Sequence, residues 1–382
     1  MTIRSKFLFV SLSMISLACG EISNEELNAT AESALTRACL THVTPDCGYK
    51  ADELMSPVAS IVRDMSFPAA HREIDIPVTV YVPPRLTGAV SLPVVVWTHG
   101  GGFIPRDRPS TQGKYWASHL AQAGYVVVLV SHHEPSAWEI DYYCEQHDVE
   151  PGTPACELIQ INMAAYLKPS DTKAVIDGLD AIEARLNEYD VYDIELLTEQ
   201  LAVGGWSGGS GSTLRLAGAS YRVEDGRMFS IRDERPVAFI AVSPSGDDRV
   251  GFTPESFAGI ERPVLTITAE GDVKPDVSIE PRVRPHYHMP ATGDKYQMYI
   301  NSDATAHGTM NLSPDDTIMH NKVQATTAAA FLDAKVRRHR KAQRYLDSHV
   351  IGELLISDPT LRSEAPTALD LAGVPVPLWN RR

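Results

Sequence analysis

Residues 204–212 read Gly204-Gly205-Trp206-Ser207-Gly208-Gly209-Ser210-Gly211-Ser212, five glycines and three serines around one tryptophan, directly after the apolar run Leu201-Ala202-Val203. A glycine-serine linker would join polar segments, with no strand leading into it. Here the apolar run reads as a strand, and Ser212-Thr213-Leu214-Arg215-Leu216-Ala217-Gly218-Ala219 reads as the start of a helix. Gly205, Ser207 and Gly209 then match GxSxG, a sharp strand-to-helix turn. Its serine is held out in the open, and its glycines remove the Cβ atoms that would clash.

Working outward from this turn, further apolar runs recur at 74–82, 93–97, 125–130, 237–242, 263–268 and 296–300. Several are continuous rather than alternating, the mark of strands covered on both faces. Between them, 114–123 has a helical pattern. So does 170–186, whose Val175, Leu179, Ile182 and Leu186 recur at helical spacing behind Ser170 as a predicted cap. The alternation predicts an α/β fold, a doubly wound and mostly parallel sheet with helices on both faces. Residues 132–169 are too long for an ordinary connection and read as a lid-like insert. Residues 325–351 read as one long helix, with Arg337-Arg338-His339-Arg340-Lys341 on a solvated face.

The whole chain suits one large domain. It has 382 residues, 43% hydrophobic and 22% charged, with a formal charge of −15 that repels phosphate backbones and gives no basis for nucleic-acid binding. At the start, Arg4 and Lys6 precede an apolar stretch from Phe7 to Ala18. That stretch is shorter than the about 20 residues a permanent spanning helix needs, and residues 1–18 read as an export signal peptide. Cys19 after Ser16-Leu17-Ala18 resembles a bacterial lipoprotein cleavage box, with Ser16 where leucine is usual. Lipidation at Cys19 would make the protein a cell-envelope lipoprotein whose only membrane contact is the anchor; simple cleavage would release it. Residues 19–55 read as tether and N-terminal segment, 56–352 as the catalytic domain and 353–382 as a C-terminal tail. Four further cysteines, Cys39, Cys47, Cys144 and Cys156, allow disulfides in an exported chain; three pairings are open, of which the two short loops, Cys39 to Cys47 and Cys144 to Cys156, are the simplest.

Ester hydrolysis by a serine needs an activated hydroxyl, a base held in one tautomer by an acid, and donors for the oxyanion. Ser207 supplies the hydroxyl. His99-Gly100-Gly101-Gly102-Phe103 follows the run ending at Trp97, and its unshielded N–H groups are oxyanion donors, with Gly101, Gly102 and Gly208 as the candidates. The acid is expected just past the run ending at Thr268, where Asp272 is favoured over Glu270 and Asp276. His307, in a small-residue loop after Ile300, completes the order Ser, Asp, His as the base. Phe103 and Trp206 are expected to line an acyl pocket, and His99 to shape the oxyanion loop. His132, His133, His286 and His288 lack a third ligand at a recognisable spacing, so no metal is expected.

With those motifs in view, residues 70 to about 345 resemble the α/β-hydrolase superfamily. The stretches "LPVVVWTHGGG", "YWASHLAQAGYVVVLVSHH", "KPSDTKAVIDGLDAI" and "GFTPESFAGIERPVLTITAEGD" resemble its branch of platelet-activating-factor acetylhydrolase-like and dienelactone-hydrolase-like esterases. Polyester hydrolases and cutinase-like enzymes share the Gly-Trp-Ser arrangement. The resemblance implies a cofactor-free serine carboxylesterase acting on a small-molecule or polymeric ester. Two departures stand out: polyester hydrolases carry methionine where Gly208 stands and an aromatic residue where Gly101 stands, and dienelactone hydrolases use a cysteine nucleophile. A peptidase or amidase with the same triad, or a non-catalytic binding protein on the same scaffold, are the alternatives.

Overall fold

The computed structural model describes residues 61–382 except 85, 87, 107–108, 190–192, 223–227, 247–250, 275–277, 303–305, 314–318, 349–350, 352–369, 372–373 and 376–378. The expected signal peptide and tether, with Cys19, Cys39 and Cys47, lie outside the described residues.

In chain order the strands are β1 (Ile61–Phe67), β2 (Ile76–Val82), β3 (Ala89–Thr98), β4 (Val126–Val130) and β5 (Asp193–Trp206), then β6 (Tyr221–Arg222) and β7 (Met228–Phe229). They continue with β8 (Ala238–Val242), β9 (Val264–Ala269), β10 (Lys295–Ile300), β11 (Asp370–Leu371), β12 (Val374–Pro375) and β13 (Trp379–Arg381). Nine form one sheet, in the order β1-β2-β4-β3-β5-β8-β9-β10-β13. The six from β4 to β10 run parallel, and β1, β2 and β13 join by antiparallel pairing. The remaining four short strands make two separate hairpin ladders.

The helices are α1 (Lys114–Gln122), α2 (Ala137–Gln146), α3 (Pro154–Ile161), α4 (Met163–Asp177), α5 (Leu179–Tyr189), α6 (Gly208–Ala217), α7 (Glu280–His288), α8 (Met319–Lys335) and α9 (Arg340–Asp347). Successive side chains of a strand point to opposite faces, so Val94 and Val96 enter one core while Val95 and Trp97 enter the other. The first core is closed by Leu167 and Val175 of α4 and Leu214 and Leu216 of α6. The second is closed by Trp116 and Leu120 of α1 and Phe331 and Leu332 of α8. Covering on both faces is what the unbroken apolar runs require, and the α/β class with helices on both faces is the observed architecture.

Several expectations are corrected. The helix read over 170–186 is two helices: α4 begins at Met163, so Ser170 lies inside it with its hydroxyl donating to the Tyr166 carbonyl (2.9 Å). The break falls at Gly178, where a Cβ would lie 3.2 Å from the Phe67 ring. The long C-terminal helix is likewise α8 and α9, separated where Arg338 takes a positive φ of 56°. Of the basic patch, Arg338, His339, Arg340 and Lys341 are exposed as expected, whereas Arg337 is half-buried: its guanidinium sits over the Tyr125 ring (4.1 Å) and donates to the Ala123 and Gly124 carbonyls (3.1 and 2.7 Å). The 132–169 insert is helical, built from α2, α3 and the start of α4, and a Cys144–Cys156 disulfide ties α2 to α3. Trp379–Arg381, within the segment read as a tail, pairs with β10 as an edge strand.

Candidate active site

Five neighbouring parallel strands end on one rim of the sheet. The chain leaves β3 into His99–Phe103, β5 into Ser207, β8 into Ser243, β9 toward Asp272 and β10 toward His307. Connections leave β3 toward β4 on one side and return to β5 on the other, the switch at which a parallel sheet opens a crevice at its carboxyl edge. Adjacent exits are stitched together: the Ser207 N–H donates to the Val242 carbonyl (2.9 Å), and the Ser243 N–H to the Ile267 carbonyl (2.7 Å).

Ser207 stands between β5 and α6 at φ 53° and ψ −116°, a conformation that a non-glycine residue holds only when its surroundings over-determine it. They do so here. A Cβ at Gly209 would lie 2.3 Å from the Thr98 carbonyl oxygen, and one at Gly208 would lie 2.3 Å from that of Gly101. The turn therefore packs directly on the ends of β3, and only glycine fits at these two positions. Gly208 begins α6, so the partial positive charge of the helix N-terminus sits beside the serine.

The structure brings Ser207, Asp272 and His307 together. Ser207 Oγ is 2.9 Å from His307 Nε2, and His307 Nδ1 is 2.6 Å from Asp272 Oδ1. Asp272 is fully buried, and every face of its carboxylate is occupied. Ser243 Oγ lies 2.7 and 2.6 Å from its two oxygens and 2.8 Å from His307 Nδ1. The Thr268 hydroxyl donates to Oδ2 (2.9 Å), and Arg282 Nε lies 3.1 Å from Oδ1 while donating to the Asp272 carbonyl (2.7 Å). A buried carboxylate is costly unless paired and hydrogen-bonded, and Arg282 with the two hydroxyls meets that need. Of the competing acids, Glu270 bonds the Tyr299 hydroxyl instead, and Asp276 lies outside the described residues.

A cavity of about 280 Å³ opens beside the serine, lined by Gly101, Gly102, Ser207, Gly208, Ser245 and Gly246 together with two prolines, Lys274 and Arg282. Phe103 and Trp206 do not line it, contrary to expectation. Phe103 turns toward the core beneath the sheet, and Trp206 stacks on the His307 imidazole (5.2 Å between centroids, 29° between planes). A strand exit alternates its side chains, so the residue before the serine faces the base rather than the cavity.

Beneath the loop of residues 99–103 lies a buried polar network. His99 Nε2 accepts from the His132 N–H (3.1 Å), which leaves the ring proton on Nδ1, donating to the Gly100 carbonyl (2.7 Å). Burial, then the nearby Lys168 charge, lower the His99 pKa well below its ordinary value. Asp171 takes bonds from His71 (2.8 Å) and His132 (3.0 Å) and pairs with Arg72 (3.4 Å), which also pairs with Glu139 (3.0 Å). Burial alone would raise Asp171; its histidine bonds and the Arg72 charge outweigh that and hold it at about 2. Burial lowers His132 to about 4.

The sequence reading missed Ser243, Thr268, Arg282 and Lys168. Ser243 and Thr268 adjoin strand ends and carry a weak signal in that position. Arg282 sits in α7, within a stretch that shows no clear periodicity. Among the described residues no group of three or more His, Cys, Asp or Glu side chains is arranged to hold a metal ion, and no helix is long and apolar enough to cross a membrane. No protein-family model matches the chain, and no curated protein matches it.

Proposed function

We propose that the protein is a serine hydrolase of the α/β-hydrolase type that cleaves carboxylic esters through an acyl-enzyme. The observation carrying this reading is the unbroken relay from Ser207 Oγ through His307 to Asp272, at 2.9 and 2.6 Å. In acylation the Ser207 oxygen bonds to the ester carbonyl carbon while its proton passes to His307 Nε2. The carbonyl π pair moves onto oxygen, and N–H groups of Gly208 and of the Gly101-Gly102 segment receive the charge. Collapse breaks the bond to the alcohol oxygen, which takes the proton from His307. Water then repeats the sequence to release the acid. Asp272 holds the imidazole with its proton on Nδ1.

The small cavity, walled by glycines, serines, prolines and two cations, suits a short or polar acyl group better than a long hydrocarbon chain. Residues 1–18 followed by Cys19 fit an exported, lipid-anchored protein, and the Cys144–Cys156 disulfide suits an oxidising compartment.

Ser207→Ala tests the reading. Hydrolysis of p-nitrophenyl acetate should fall at least about 10⁴-fold, the scale set by losing a triad nucleophile, with the melting curve almost unchanged. Undiminished turnover would remove Ser207 from the chemistry. Covalent labelling by a fluorophosphonate should be present in the parent protein and absent from the variant; a parent protein that neither labels nor turns over esters would be a scaffold without catalysis.

A further inference from the structure

Lys168 lies in α4, is 1% exposed, and carries its ammonium directly under the oxyanion loop. Its Nζ donates to the carbonyls of Gly101 (2.9 Å) and His99 (3.1 Å). It forms no salt bridge with a carboxylate among the described residues. Its titratable neighbours are Asp171, three residues further along α4, His99 and His132 at the exits of β3 and β4, and Arg72 beyond Asp171. Burial pushes the ammonium down to about 7 against the pull of Asp171. A buried cation spent on two backbone carbonyls is a poor stabilising device, since a methionine fills similar volume without the desolvation.

The peptide geometry shows what the cation does. All peptide bonds described here are trans, so the N–H of Gly102 points opposite to the Gly101 carbonyl. A carbonyl drawn down onto Lys168 therefore aims the Gly102 N–H up into the cavity it shares with Ser207. His99 fixes the intervening peptide by donating to the Gly100 carbonyl, so three successive carbonyls are each held by a side-chain donor. The Gly101 oxygen also lies close to Gly208, where an added Cβ would stand 2.3 Å from it.

We propose that Lys168 is a positioning residue for the oxyanion site: by gripping the His99 and Gly101 carbonyls it holds the Gly102 N–H where the tetrahedral oxygen forms. This rests on the hydrolase reading above and adds to it a residue outside the triad, which never touches substrate. Its charge also polarises the Gly101–Gly102 peptide, making that N–H a stronger donor.

The experiment compares Lys168→Met and Lys168→Arg with the parent protein. It uses p-nitrophenyl acetate turnover and the binding of a short trifluoromethyl ketone against its matching secondary alcohol. The ketone bonds to Ser207 Oγ, passes the serine proton to His307 and places an oxyanion in the site; the alcohol occupies the cavity without one. Lys168→Met should lower kcat about 100-fold, the range for losing one preorganised donor, with KM within about threefold. The ketone should weaken by a similar factor and the alcohol hold its affinity. Lys168→Arg, which keeps a cation under the loop, should recover part of kcat and of ketone binding, and it carries the comparison if the methionine variant does not fold. Equal weakening of ketone and alcohol, a rise in KM at constant kcat, or unaltered kinetics in Lys168→Met would overturn the assignment. A parent protein that hydrolyses no ester yet prefers ketone to alcohol, with that preference lost in Lys168→Met, would sink the esterase reading and keep this one. A parent protein without that preference would sink both.

Discussion

Ser243 ties together the acid and the imidazole of the proposed triad, because a single hydroxyl reaches both oxygens of Asp272 and the Nδ1 of His307. It does so from a positive φ of 54°, a conformation uncommon for a non-glycine residue. Removing that hydroxyl leaves a buried carboxylate short of one partner and the imidazole freer to rotate. Ser243→Ala should therefore lower kcat by about 10- to 100-fold, equivalent to about 1–3 kcal/mol for an unsatisfied buried group, with little change in KM. Steady-state kinetics on a p-nitrophenyl ester decide this, and a variant matching the parent protein would mean that Arg282 and Thr268 suffice. Ser207, Asp272 and His307 could be located from sequence because each follows an apolar run at a short distance. Ser243 could not, because its importance lies in a backbone conformation that residue type does not announce. The roles given to Phe103 and Trp206 missed for a related reason: proximity along the chain does not say which way a side chain turns.

At the level of elements, the parallel strands were legible from their continuous apolar runs, whereas the break between α4 and α5 and the helical insert were not. Gly178 divides a segment whose apolar spacing continues almost in phase, and only the folded chain shows Phe67 close enough to favour glycine, a poor helix former, at that position. In the insert, helices α2 and α3 are short. The first is closed by a capping box in which Ser136 and Glu139 exchange hydrogen bonds, and its Cys144 is joined to Cys156 of the second. Helices of this length are marginal alone. Cys144→Ser/Cys156→Ser should cost about 3 kcal/mol by the loop-closure model, read as a lower urea midpoint than that of the parent protein. No shift would show that packing of the insert on the first core already holds it.

Across the whole molecule, the buried network under the oxyanion loop couples stability to acidity. His132 sits near 4 when folded against an ordinary 6.5, and Asp171 near 2 against 3.8, so in both windows the unfolded chain binds more protons. Stability must then rise with pH through those windows. Denaturant midpoints should fall as pH drops from about 6.5 to 4 and fall further toward 2, and His132→Gln should flatten the upper part of that decline. An unchanged slope in the variant would move the origin of acid lability elsewhere. Lys168 has the same sign in a higher window: folded near 7 against an ordinary 10.5, it disfavours the native state most below pH 7, and that penalty fades as the solution is made alkaline.

The hydroxyl of Ser207 and the ring of His307 meet across 100 residues of chain, and the imidazole meets its acid across 35. Neither contact can form while any of β5, β8, β9 or β10 is out of register, since each supplies one exit from the same rim. On the proposed hydrolase reading, turnover would therefore gauge long-range order in this polypeptide. During refolding, helical signal and collapse can return early, but catalysis reports only molecules whose sheet is fully threaded.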